Sequence, residues 1–364
     1  METDEFVMYL SKFQAAYPVG VAAQVIPTTD LYFLNACRAL VGGVWHKRPI
    51  KREGANSFSC GSSLIVCRRD EDTVVDQLLA RQNIRLFYII DDDLWAAEKD
   101  PTLPDAYQKR LTHLREGQHR RLTERAETII VSSPSLAAVY QQRGHKVEYL
   151  PPYWSDRFAP LHHFDMLAEG APLEIGYLGT ASHRADREFV MSVFEKLLTS
   201  NAHVRLTMVG ASELPDGFQG HPKLRIIKPL PWVRHRRRLS RLRFHLLLYP
   251  TLPTPFNASR SCNKLIEHAV SGGIGLYSDS WRYADLVADQ SLGLVLKNET
   301  ALWARTIADC TQNLTRNQAV GVNRKVADIN GAAGAAQKRF WAQLFPDIDE
   351  KNSKREDFFI LKEN

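Results

Sequence analysis

The stretch Pro253–Ser280, PTPFNASRSCNKLIEHAVSGGIGLYSDS, holds a polar loop, a short helix and a buried strand in close succession. Asn257, Ser259, Arg260, Ser261, Asn263 and Lys264 gather where the helix begins. Unpaired backbone N–H groups and the positive end of the helix dipole favour an anion at such a place, and a phosphate fits it. Glu267 lies one turn beyond Asn263 and Lys264, on roughly the same helical face. A carboxylate for ribose hydroxyls therefore stands beside a cation for phosphate. Gly272 and Gly273 end the helix, and Ile274–Tyr277 reads as the next strand.

Outward from this segment, apolar runs alternate with helical periodicity, the pattern of parallel strands joined by crossover helices. In the second half Leu173–Leu178, Val204–Val209, Leu224–Ile227 and Phe244–Tyr249 read as strands, with a basic helix over Trp232–Arg243, a helix over Thr300–Leu314 and a last helix over Ala332–Leu344. Gly179, Thr180, His183 and Arg184 follow the first of these strands and lead into a helix, a phosphate cradle in outline. In the first half, strands are expected at Gly20–Ile26, Ser63–Cys67, Leu86–Ile90, Thr128–Val131 and Val147–Leu150, and helices at Asp30–Val41, Asp72–Arg81, Asp105–Ala126 and Pro134–Arg143. The division is an acceptor-side domain over 1–155, a Pro-rich linker over 156–172, a nucleotide-binding domain over 173–331, a helix over 332–346 crossing back to the first domain and a charged tail over 347–364.

The Pro253–Ser280 segment, together with the order VSSPSLAAVYQQRGHKVEYLPPYWSDRFAP over 131–160, resembles glycosyltransferases built of two Rossmann-like domains, the GT-B architecture, and among them the retaining family 4 and its relatives. The resemblance implies an α/β fold whose parallel sheets face a central cleft. It also implies a glycosyltransferase using a nucleotide sugar, with Glu267 matching the second Glu of a Glu-x7-Glu pair, which holds the ribose. Ser259 stands where that pair has its first Glu, the residue that touches the donor sugar. Two other classes stay open: a sugar-nucleotide 2-epimerase of the same architecture, and a sugar-nucleotide-binding protein without activity.

A chain of 364 residues exceeds the size at which one core stops growing, so two domains are expected. A net charge of +6 biases partners toward anions. The five cysteines show no CxxC spacing, which fits free thiols in a reducing cytosol. Neither a signal peptide nor a membrane span is expected from the apolar patterning. Asp91, Asp92 and Asp93 close a buried strand, where α/β clefts lie, and Asp92 is the candidate for work on the transferring sugar, with His183 beside the donor. The nucleotide-sugar set is Gly179, Thr180, Arg184, Ser259, Arg260, Asn263, Lys264 and Glu267. No metal or other cofactor is expected, because arginine, lysine and helix N–H groups can neutralise a leaving phosphate. The acceptor is expected to be a glycan or lipid-linked glycan of surface polysaccharide synthesis. The basic helix at Asp105–Ala126 is a candidate for resting on an anionic membrane surface from the cytosolic side. Nucleic acid is not an expected partner, since the arginine runs lack interleaved aromatics.

Overall fold

A computed structural model of the chain describes residues 17–18, 20–41, 49–180, 184–213 and 217–345. Its described residues form two six-stranded sheets. The first runs β1 (Lys51–Arg52), β2 (Ser57–Cys60), β3 (Ser63–Cys67), β4 (Arg85–Ile90), β5 (Thr128–Val131) and β6 (Val147–Tyr149) in spatial order. β3 to β6 are parallel, whereas β1 and β2 are an antiparallel edge. Because crossover helices cover both faces, β3 and β5 are buried along their whole length and read as unbroken apolar runs, with β4 exposed only at Arg85.

The second sheet is wholly parallel, in the order β12 (Gly293–Leu296), β11 (Ile274–Ser278), β10 (Leu246–Tyr249), β7 (Leu173–Leu178), β8 (Val204–Val209), β9 (Leu224–Ile227). The chain starts at the centre, works outward through β8 and β9, then returns to the other side of β7. The order reverses between β7 and β10, and the loops leaving these two strands flank a crevice at their carboxyl ends. Gly210, at φ +93°, turns the chain after β8, and a Cβ there would lie 2.8 Å from the Gly179 carbonyl oxygen, so glycine lets two cleft loops pack together. Gly272, at φ +78°, ends the Asn263–Val270 helix as expected, with Gly273 N–H donating to the His268 carbonyl.

Four expectations are corrected. Gly20–Ile26 is a set of helix-like turns rather than a strand, because Pro27 opens a helical segment over 27–37 and Val21 to Val25 bond back onto Pro18 and Val21. The first sheet is mixed rather than parallel throughout, its β1–β2 edge having been unreadable in short polar segments. The Asp105–Ala126 helix is interrupted: a π-helical turn over Arg115–His119, with Gly117 off helical geometry, separates Asp105–Leu114 from Arg120–Arg125. The last helix begins at Arg316 rather than Ala332 and runs unbroken to Leu344, so residue 331 lies inside one element.

That long helix binds both halves. Asn330 exchanges hydrogen bonds with the Trp154 backbone at 2.9 Å, Gln337 donates to the carbonyls of Leu31 and Pro151, and Trp341 donates to the Tyr32 carbonyl. Beneath the cleft one apolar core is continuous across the halves, joining Phe33 and Phe58 to Trp232, Leu247 and Trp341. Phe256, from the Pro255–Ala258 turn of the second half, is buried in the core of the first.

Candidate functional site

The carboxyl ends of β3, β4 and β5 supply one wall of the crevice. Directly after β3, Arg68 adopts a left-handed backbone at φ +60° and turns its guanidinium onto Asp91 at 3.0 Å and Asp92 at 2.6 Å. Asp92 is 7% exposed. Asp91 also accepts from the Thr28 hydroxyl at 2.7 Å and opens into a cavity of about 620 Å³ that Asp92 does not line. Burial raises the Asp91 carboxyl above the ordinary range, Arg68 works against that rise, and the neighbouring Asp92 adds to it. Arg68 stays charged in spite of its burial because Asp92 and Asp91 face it. Asp93 is a helix cap: its carboxylate accepts the N–H groups of Trp95 and Ala96.

The other wall comes from the loops after β7 and β10. Arg260, partly buried, donates to Asn257 at 3.1 Å and lies 4.8 Å over the Phe256 ring. Burial opposes its charge, but Tyr249 and Asp92, then Tyr107 and Asp186, hold its pKa up, so it faces acids of both halves. The domains touch here directly: Ser133, capping the Pro134–Gln141 helix, donates its hydroxyl to the Ser259 carbonyl at 2.5 Å. Glu267 is 5% exposed, with Lys264 at 2.5 Å on one oxygen and Asn263 at 3.4 Å on the other. His235 feels both charges of the pair, so it lies beside them, and burial lowers its pKa.

The structure thus sets Asp92 within reach of the Arg260 charge, holds Asn263 and Lys264 on Glu267, and lets Arg260 and Glu267 both act on Tyr249, with Thr180 on the cavity wall. Three expected contacts are not available as read. The Gly179 N–H is committed to the Val209 carbonyl at 3.0 Å, since this strand end continues the ladder to β8. Ser259 is 2% exposed and turns its hydroxyl back to the Phe256 carbonyl at 2.8 Å, so it does not replace the missing Glu of the pair. Arg184 points outward, in a loose pair with Glu188 at 3.8 Å. His183 lies outside the described residues. Arg68, Tyr107 and Asp186 were not singled out from sequence. Arg68 carried a legible signal, an arginine immediately after an apolar strand, whereas Tyr107 read as one more member of a helical stripe.

No family profile matches the chain, and no curated protein matches it in sequence. Among solved structures it is similar to sucrose-phosphate synthase from Thermosynechococcus elongatus, with a TM-score of 0.52 and 15% identity over 75% of this chain and 71% of that one. It is also similar to WaaG, a glycosyltransferase involved in lipopolysaccharide biosynthesis, with a TM-score of 0.52 and 14% identity over 73% of this chain and 80% of that one. The fold is GT-B. A third GT-B neighbour, HepE from Anabaena in complex with UDP and glucose, superposes with a TM-score of 0.50 and 11% identity over 77% of each chain. At these identities the likeness is one of fold. Among the described residues no helix is long and apolar enough to cross a membrane.

Proposed function

We propose that this GT-B chain is a glycosyltransferase that moves a sugar from a nucleotide-activated donor to a glycan or lipid-linked acceptor in surface polysaccharide synthesis. The observation that carries this reading is the meeting of Arg68, Asp91, Asp92 and Tyr107 with Arg260 and Asp186 across one cleft, at the carboxyl ends of two sheets. The shared fold of WaaG and of HepE, the latter in complex with UDP and glucose, supports it.

Transfer places growing negative charge on the leaving nucleotide phosphate, and cations already fixed in a partly dry cleft stabilise that charge without reorganising. In this reading Arg260 and Lys264 face the donor phosphates. Glu267 receives the ribose hydroxyls: a carboxylate has about four acceptor positions, so the bonds from Lys264 and Asn263 leave room. Asp92, clamped by Arg68, orients the transferring sugar or the acceptor. Retention at the anomeric carbon and independence from metal belong to the same proposal, as does work at the cytosolic face beside an anionic membrane surface.

The test is a panel of UDP-, GDP-, ADP- and CMP-sugars. Acceptor-dependent release of the nucleotide is expected with at least one of them. Epimerisation without acceptor, or binding with no turnover under any acceptor, overturns the proposal.

A further inference from the structure

Tyr107 stands among four guanidinium groups. Arg110 lies 4.8 Å over its ring, and Arg68, Arg69 and Arg260 are close enough for their charges to act on it. Asp91 and Asp92 are both engaged by Arg68. Arg69 instead stands in a like-charge field: burial first, then Arg68 and Arg110, lower its pKa. The remaining acids on the cavity wall turn to other donors. Asp70 accepts the N–H groups of Ala55, Asn56 and Glu71, while Glu71 accepts from Gln24 and Asp72 from Gln118.

From this placement we infer that the first-domain wall of the cleft, at Arg69, Arg110 and Tyr107, binds the phosphate group of a phosphorylated acceptor. The inference rests on the glycosyltransferase reading and narrows its substrate class. Guanidinium forks match phosphate oxygens in pairs, and Arg69 and Arg110, which line one cavity and form no ion pair among the described residues, keep their forks open for a phosphate monoester. The cavity, about 620 Å³, has room for a sugar joined to that phosphate. Thr180, from the loop after β7, lines the same cavity, so a ligand anchored at Arg69 and Arg110 extends toward the donor side. The phosphate belongs to a soluble sugar phosphate or to a lipid phosphate, and the two share this chemistry.

Calorimetric titration of the full chain at low ionic strength, where surface charges are least screened, tests the site with glucose 6-phosphate, glucose and UDP. Glucose 6-phosphate is expected to bind at least tenfold more tightly than glucose, and to bind with UDP already saturating. The double variant Arg69→Gln/Arg110→Gln should lose at least tenfold in phosphate-ester affinity while its melting temperature and UDP affinity match the parent, and Arg69→Lys/Arg110→Lys should recover part of the loss. A parallel arm floats the protein with phosphatidic acid vesicles and with phosphatidylcholine vesicles. Binding to the soluble ester, or to phosphatidic acid alone with the same sensitivity to the double variant, supports the site and names its source. Equal affinity for glucose and its phosphate, displacement of the ester by UDP, or insensitivity to the double variant overturns it. A protein that binds the ester but never UDP would instead sink the donor reading and leave the phosphate site standing.

Discussion

At the residue scale, Glu267 joins a role in the site to a role in the fold. Its carboxylate and the Lys264 ammonium are 7% and 12% exposed, so each is the counter-ion that permits the other's burial. Glu267→Gln should therefore lower nucleotide affinity by about 1.5–3 kcal/mol, as for a lost hydrogen bond to a charged group, and also destabilise the fold by about 1–3 kcal/mol. Adding Lys264→Met should restore stability without restoring affinity. A Glu267→Gln protein that binds nucleotide like the parent, measured by calorimetry, removes Glu267 from the donor site. The neighbours Asp92 and Asp93 separate in the same manner. Asp93→Ala should cost about 1 kcal/mol of stability as a lost cap and leave turnover intact. Asp92→Asn should depress turnover far more than nucleotide affinity, and a variant with the parent's turnover would make Asp92 purely structural.

At the element scale, the π turn in the Asp105–Arg125 segment sets the depth of His119. The extra residue in that turn brings His119 to 1% exposure, with its ring nitrogens at 3.1 Å from Tyr88 and 3.4 Å from Tyr140 and its edge against Trp95. Three elements therefore meet on one imidazole. Burial pushes its pKa down to about 3, and burial likewise pushes His245, between β7 and the His163–Ala168 helix, down to about 4. Both are neutral when folded. As pH falls below the unfolded value of about 6.5, the unfolded chain takes up protons that the folded one refuses, so stability falls with pH until the folded values are reached. The free energy of unfolding should thus drop between about pH 6.5 and 3, by a few kcal/mol in all, and His119→Phe should flatten that limb. An unchanged acid limb in the variant would show that other groups govern it. The basic face of the same segment is partly spoken for: Arg115 pairs with Glu98 and Glu116, and Arg121 with Asp76 at 2.5 Å.

At the scale of the whole molecule, the two halves are clasped below the cleft by one arginine. Arg236, 2% exposed on the Trp232–Leu239 helix, is bonded to Asp30 of the first half, to Asp156 of the linker at 2.6 Å, and to Asn35 at 2.8 Å, and lies 4.3 Å over the Trp154 ring. Trp232 adds a bond to Asp30 at 2.9 Å. Asp30 is fully buried, so removing its counter-ion strands a charge. Arg236→Met should cost about 3–5 kcal/mol and split thermal unfolding into two transitions, where the parent unfolds in one. Calorimetry of the two proteins decides it, and an unaltered single transition in the variant would show that the apolar core and the long helix couple the halves without Arg236.

The sequence by itself determined five of the six strands of the second sheet, β7 to β11, and missed β12. Strands covered by helices on both faces are mainly apolar, so Leu173–Leu178, Val204–Val209 and Leu224–Ile227 were legible to the residue, with Glu174, Arg205 and Arg225 at positions left open to solvent. Loops at the carboxyl ends of such strands must carry the polar chemistry, which put Asp92, Arg260, Lys264 and Glu267 forward. Local pattern failed where the deciding partner was distant in the chain. Gly20–Ile26 is a short, mostly apolar run that reads as a strand, yet Pro27 and the core around Val25 set it as turns. Gly179 offered an amide to a phosphate, but β8 claimed it. The arginines of Trp232–Arg243 read as one solvated face, and only packing against Asp30 and Asp156 turned Arg236 inward. Tertiary structure also decided that Arg68 and Tyr107 face Arg260 across the cleft, because no spacing along a chain encodes the approach of two sheets whose strands are far apart in sequence.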